Sequence, residues 1–387
     1  YGPGHRRPAV AWLDRHMGID PSDIRGSKTK IKPVDLISSK TGMVFYSREF
    51  PDQETAVTLQ RKKAACSLSF KEKPGNISAV RKHQSSILDR LRELLCTDDI
   101  TFSELVEKKN VHLRECTAEK VYFRTDPGIT VTHTILKPLQ TDGPCRTLIW
   151  IYERDRKTLI EKRYREIISL LNSGWMICIP NVRGTGESAP QSTYTFRTAE
   201  TAQNCGGFEV ACPLIGLRIK DIRCSVDYLI SREDVDRKNI AVFGDSLARI
   251  NPEQIPHKRQ ITSPGPEKIW MGQSLGPHIA VMSAALDKRI RGAAVNGILF
   301  SYRSLFDEFY FYHQNNLWIP RVLLNFDMGD ICAALAPRPF LMIRPVDSLN
   351  SRASQKEIDR EYRRTVAVYS VHGAKTNIRI DRESGPS

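Results

Sequence analysis

The sequence lacks any apolar run near the roughly 18 residues a membrane-spanning helix needs. The longest lies around Trp175 to Pro180, so no membrane insertion is expected. It also lacks a Cys-x-x-Cys pair. Its nine cysteines, at 66, 96, 116, 145, 178, 205, 212, 224 and 332, are odd in number and widely spaced. Neither a zinc site nor a dense disulfide framework is signalled, and no metal or cofactor is expected. Cys178 and Cys224 stand inside apolar patterns, as core fillers do. There is no internal repeat, and no basic-then-apolar targeting segment follows Tyr1, so the compartment cannot be read. Segregated charge is missing too. The net charge is +14, but the Lys and Arg residues are interspersed with carboxylates and carry no interleaved aromatics, so no nucleic-acid partner is expected.

What is present is a globular pattern that changes along the chain. Residues 6 to 17 place Val10, Leu13 and Met17 at helical spacing. From Gly18 to Lys73 the pattern is irregular, as in a linker. Between Asn76 and Leu95, Ile77, Val80, Ile87, Leu88, Leu91, Leu94 and Leu95 keep the 3.6-residue period, with Asn76 or Ser78 as cap. Lys120 to Phe123 and Ile129 to Leu136 alternate around Asp126-Pro127-Gly128, which predicts a hairpin. Short apolar runs then alternate with helical stretches. Strands are expected at 147–152, 175–180, 239–243, 294–299, 340–343 and 377–380, with helices at 164–171, 215–231 and 279–286. A hairpin followed by βα units predicts an α/β protein of the α/β-hydrolase fold, with a mostly parallel, doubly wound sheet and an N-terminal hairpin.

A serine nucleophile on such a sheet needs a sharp strand-to-helix turn with small flanking residues. Two sequences qualify. Gly244-Asp245-Ser246-Leu247-Ala248 follows the strand NIAVF directly, whereas Gly272-Gln273-Ser274-Leu275-Gly276 is a full G-x-S-x-G leading into a helix. Residues 249 to 269, with four prolines, read as an insertion between them, and strand position tips the choice slightly towards Ser246. The acid is expected at Asp347, after the strand FLMI. The base is the difficulty, because it belongs after the last strand. His372 is the sole histidine after Asp347, and it precedes that strand. The oxyanion donors would be the N–H of Leu247 or Leu275 and one near Glu153, in a loop without glycine.

The blocks PNVRGTGES (180–188), Asp221 with Asp227-Tyr-Leu and Asp234-Val-Asp236, AALDKRI (284–290) and ALAPRP (334–339) resemble, in order and spacing, the bacterial acetyl-xylan-esterase-like α/β hydrolases. The resemblance spans about 117–381 and implies a Ser-His-Asp esterase acting on acylated carbohydrates or similar esters. Hydrolase-like domains of this type can occur in tandem. Gly2-Pro3-Gly4-His5 and the helix after it resemble the closing histidine loop and final helix of such a domain, so residues 1–18 are expected to be the tail of a preceding copy. His5 would then be that copy's base, or a rescue for this one. Residues 19–116 would be a linker carrying the helix 76–95, and an upstream hydrolase domain of the same parent, secreted or periplasmic, would be a partner. Within the loop 180–188, Arg183 is expected to brace the backbone, Glu187 to pair with it, and Gly184 and Gly186 to permit the tight turn. Two departures, the missing C-terminal histidine and the glycine-poor oxyanion loop, leave two readings open: an esterase, or a degenerate hydrolase fold serving as a structural or binding domain. A peptidase of the prolyl-oligopeptidase branch is disfavoured because no β-propeller precedes the domain.

Overall fold

The computed structural model describes residues 3–18, 56–64, 69–70, 74–97, 104–189, 199–252, 269–307 and 311–382. The chain divides into two compact units, Tyr1–Leu59 and Gln60–Ser387. In the first, helix α1 (Pro3–Met17) carries His5 on its first turns, and Trp12 meets His16 one turn on, ring to ring at 4.7 Å. The His5 side chain lies outside the described residues. Helix α2 (Ala56–Lys63) crosses the boundary between the units.

The second unit begins with α3 (Ile77–Leu95). The Asn76 side chain accepts from the Ala79 N–H and satisfies one of the helix's orphan donors, while Cys96 at φ 53° closes the other end. Its apolar stripe is buried as the period predicts, with Ile87, Leu91 and Leu95 fully enclosed. Then come β1 (Glu104–His112), β2 (Thr117–Asp126) and β3 (Ile129–Lys137), β4 (Cys145–Ile151), α4 (Arg156–Lys162), α5 (Tyr164–Asn172) and β5 (Trp175–Asn181). After these follow α6 (Ala199–Glu209), α7 (Leu214–Ser231), β6 (Val235–Asp245), α8 (Leu275–Leu286) and β7 (Ile290–Asn296). The last elements are α9 (Val322–Asn325), α10 (Met328–Ala333), β8 (Phe340–Ile343), α11 (Gln355–Val371) and β9 (Ile378–Asp381).

Among the described residues nine strands form one sheet, in the order β1-β2-β3-β5-β4-β6-β7-β8-β9. β1, β2 and β3 are antiparallel, and from β5 to β9 every pairing is parallel. Strand alternation divides the side chains between two layers. Ile149 and Ile151 of β4 join a large core with residues of α3, α7, α8, α10 and α11, whereas Trp150 joins a smaller one with Leu159 and Ile167 of α4 and α5.

Two boundaries differ from expectation. The strand sought at 294–299 is Ile290–Asn296, because Gly297 at φ +71° turns the chain out of the sheet. The sheet also begins well before residue 117. β1 is an edge strand exposed at every position, so it carries no buried face and no alternation to read. With α3 in the core as well, the compact unit takes in a stretch that reads as linker in the sequence.

Candidate active site

The two candidate serines lie on either side of the insertion that follows β6. Its described ends are tied to the loop after β8. Asn251 Nδ2 donates to the carbonyls of Trp270 and Leu349, the Trp270 N–H donates to Asn251 Oδ1, and Asn350 Nδ2 donates to the carbonyls of Arg249 and Trp270. The chain thus leaves the sheet at Ser246 and returns through Gly272 to Ser274, which caps α8.

Ser246 is enclosed in main-chain contacts. Its N–H donates to Asn296 O, its carbonyl accepts from Asn296 Nδ2 and Arg344 Nη2, and its hydroxyl accepts from the Ala248 N–H at 3.4 Å. Asp245 beside it accepts from both Nε and Nη2 of Arg163 and from Asn296 Nδ2. This turn is a brace between β6, β7 and α5. Leu247 packs against the smaller core.

Ser274 has a different neighbour. Its Oγ donates to Gly297 O at 2.9 Å and lies 3.5 Å from Nδ1 of His313, a residue between β7 and β8. His313 Nε2 lies 2.7 Å from the main-chain carbonyl of Asp347. A carbonyl only accepts, so Nε2 carries the proton and Nδ1 of the neutral ring is an acceptor turned to Ser274. Burial pushes the His313 pKa down to about 4, against the pull of the Asp347 carbonyl, so the ring is neutral over the physiological range. A second buried histidine, His278, sits one turn into α8 with Nδ1 on Ser274 O, also lowered to about 4 by burial. Both Ser274 and His313 are nearly inaccessible, at 1% and 2% exposure.

The glycines of the G-x-S-x-G sequence are spatial requirements here. A Cβ on Gly272 would stand 2.5 Å from His313 Cε1, so the ring reaches Ser274 only because that position is bare. A Cβ on Gly276 would stand 2.8 Å from Ile151 O, so α8 closes on the end of β4 only without one. Ser274 itself has φ −83° and ψ −2°, close to the bridge region between helix and strand.

The remaining candidates fall as follows. Asp347 reaches the site through its carbonyl, while its carboxylate accepts from the N–H groups of Leu349 and Ser351. His372 caps the C-terminus of α11 with Nε2 3.1 Å from Gln84 Oε1, in a cavity of about 450 Å³ with Arg81 and Arg338. Neither serine lines that cavity, and the hydrogen-bond partner of the ring is Gln84. Glu153, sought as a neighbour of an N–H donor, instead presents its carboxyl as an acceptor to the Leu275 N–H, at 3.3 Å. Arg183 grips Asp221 through Nε and Nη2 and reaches Asp126 and Thr125, bracing the loop after β5, where Gly184 and Gly186 have φ of +75° and +50°. Glu187 pairs with Arg156 and not with Arg183, because α4 presents that guanidinium to the loop. The groove of about 630 Å³ lined by Leu148, Trp150, Phe243 and Ile343 also takes in Arg163 and Asn296, the partners of Asp245 and Ser246, and Ser274 does not line it. Among the described residues no cluster of His, Cys, Asp or Glu is arranged to hold a metal ion.

No protein-family model matches the chain, and no curated protein matches its sequence. Solved structures match it in shape. A protein of Bacteroides fragilis described as an acetyl xylan esterase superposes with a TM-score of 0.64 over 84% of this chain and 80% of its own, at 16% identity. The chain has the α/β-hydrolase fold. A methylesterase, BT1017, gives a TM-score of 0.54 at 17% identity, over 81% of this chain and 62% of its own. At such identities the likeness establishes the fold alone, and the chemistry has to come from this hydrolase fold's own side chains.

His313 is the residue that sequence reasoning passed over. A search guided by the chain order Ser, Asp, His looks only beyond Asp347, and His313 precedes it. The pairing that brings it in is main-chain, between Gly272 N–H and Tyr312 O at 2.7 Å, and leaves no mark in residue type.

Proposed function

We propose that the chain is a serine carboxylic-ester hydrolase, with an acylated carbohydrate as substrate class, in which Ser274 is the nucleophile and His313 the general base. The observation that carries this reading is the contact of Ser274 Oγ with His313 Nδ1, on a ring whose other nitrogen is held by Asp347 O. In the resting state the hydroxyl proton points to Gly297 O, at the shorter distance. Rotation about the Cβ–Oγ bond hands it to Nδ1. Oγ then attacks the acyl carbon, the imidazolium protonates the departing alcohol, and water on the same base releases the acid. The Nε2–H of that imidazolium is supported by a carbonyl in place of a carboxylate, which stabilises it less.

The test is hydrolysis of p-nitrophenyl acetate, with a fluorophosphonate probe to locate the nucleophile. Ser274→Ala is expected to lower kcat by about a thousandfold or more, and Ser246→Ala to leave the labelled residue unchanged. Since the base must be neutral, the acid limb of kcat/KM is expected near pH 4, far below an ordinary histidine. A Ser274→Ala variant as active as the parent would refute the assignment.

A second reading, a hydrolase fold kept as a scaffold, is favoured by the Asp347 carboxylate, which is engaged within its own loop. It predicts no labelling at either serine.

A further inference from the structure

The Leu275 N–H is an orphan donor at the start of α8, with the helix dipole behind it, and it follows the proposed nucleophile directly. In a serine hydrolase of this fold that N–H receives the developing oxyanion, together with an N–H from the loop after an early strand. Here the corresponding loop, after β4, already fills the position. Glu153 Oε2 accepts from Leu275 N at 3.3 Å.

The contact is built into the packing. Gly276 lets α8 approach Ile151 O, which brings the residues after β4 against the helix start, and the Tyr152 hydroxyl reaches Gln273 Oε1 at 3.4 Å. Burial is the main influence on the Glu153 carboxyl and pushes it up to about 8, with Glu200 adding repulsion. The Leu275 N–H, Arg154 and Arg218 oppose the rise. The residue is half-buried, and the helix start is its polar partner.

We propose that Glu153 is a built-in mimic of the carboxylic-acid product, sitting on the Leu275 N–H and competing there with the acyl oxygen of an ester at Ser274. This rests on the reading of Ser274 as nucleophile. An incoming acyl group has to displace the Glu153 side chain before the tetrahedral intermediate can use that donor. At the end of the cycle, the return of Glu153 displaces the free acid. Glu153 is therefore a positioning residue that selects for substrates whose remaining contacts offset its displacement, and simple acetyl esters are poor ones.

The experiment is the rate of fluorophosphonate labelling at Ser274 in the full chain, with the thermal unfolding midpoint measured alongside. Glu153→Ala is expected to label faster than the parent by about tenfold or more, since it frees an oxyanion donor. Glu153→Gln, whose amide oxygen can accept the same bond, is expected to stay within about twofold of the parent. Acetate is expected to slow labelling of Glu153→Ala, by entering the vacated position, and to leave the parent unaffected. Should Glu153→Ala unfold, Glu153→Ser carries the same two expectations. A folded Ala or Ser variant that labels no faster than the parent overturns the proposal while leaving Ser274 as nucleophile. Absence of labelling at Ser274 in every variant removes the nucleophile assignment and the proposal with it.

Discussion

Gly272 shows how little room the site allows. Its missing Cβ is the space occupied by the His313 ring, so Gly272→Ala has to push the imidazole away from Ser274 or shift the returning backbone. We expect Gly272→Ala to fold and to lose about a hundredfold in kcat/KM against p-nitrophenyl acetate, since misplacing a catalytic group by about 1 Å has that effect. Circular dichroism would show whether the fold persists, and an unchanged rate would remove the ring's position from the mechanism. Ser274 and the residues around it were legible because G-x-S-x-G is a local pattern. Choosing between it and Ser246 was not, since strand position and glycine pattern pointed to different serines. The proposal of Ser274 rests on His313, which approaches its hydroxyl from 39 residues away in the sequence.

At the scale of elements, α3 is the case where pattern and packing agree. Its stripe lies in the main core beside residues of α7, α8 and α11. Leu91 is fully buried there, and Leu91→Ala is expected to destabilise the fold by about 2–5 kcal/mol in chemical denaturation, through lost burial and the cavity left behind. If α3 were a passive linker helix, the change would be near zero. The βα units were legible for the same reason as α3, because parallel strands buried on both faces read as continuous apolar runs. The strand β1 was invisible, as its stability comes from hydrogen bonds to β2 and not from a buried face. Arg183 belongs to this scale as well. Its guanidinium joins β2, α7 and the loop after β5 through Asp126, Asp221 and Thr125. Asp221 is fully buried, and Asp221→Ala leaves the half-buried guanidinium only Asp126 and Thr125, so it is expected to cost about 1.5–3 kcal/mol for the lost charged hydrogen bonds.

At the scale of the whole molecule, buried titratable groups set how stability depends on pH. Glu153 ionises near 8 when folded and near 4.5 when unfolded. Between those values the unfolded chain has released a proton that the folded one keeps, so stability falls as pH rises. Glu361, pushed up by burial and by Asp327 and Asp330, acts in the same direction. His278 and His313 act oppositely, but only below their ordinary value of 6.5, where the unfolded chain binds protons that the fold refuses. Between pH 6.5 and 8 the carboxyls therefore act alone among these four. The unfolding temperature is expected to fall across that interval, and Glu153→Gln to flatten the fall. A flat profile in the parent would show that the Glu153 carboxyl is not raised to about 8.

The sequence by itself determined the sheet's rhythm, the hairpin before it, the long amphipathic helix and the serine on the helix start. Each of these is a local matter of period, turn residues and caps, set by a few neighbouring side chains. Only the tertiary structure decided that His313 faces Ser274, that Asp347 contributes a carbonyl, and that Glu153 covers the Leu275 N–H. These contacts join loops after different strands, and their geometry depends on how closely α8 packs on the ends of β4 and β6. That closeness is permitted by bare glycine positions, which the sequence shows, and set by main-chain hydrogen bonds between distant loops, which residue type does not encode.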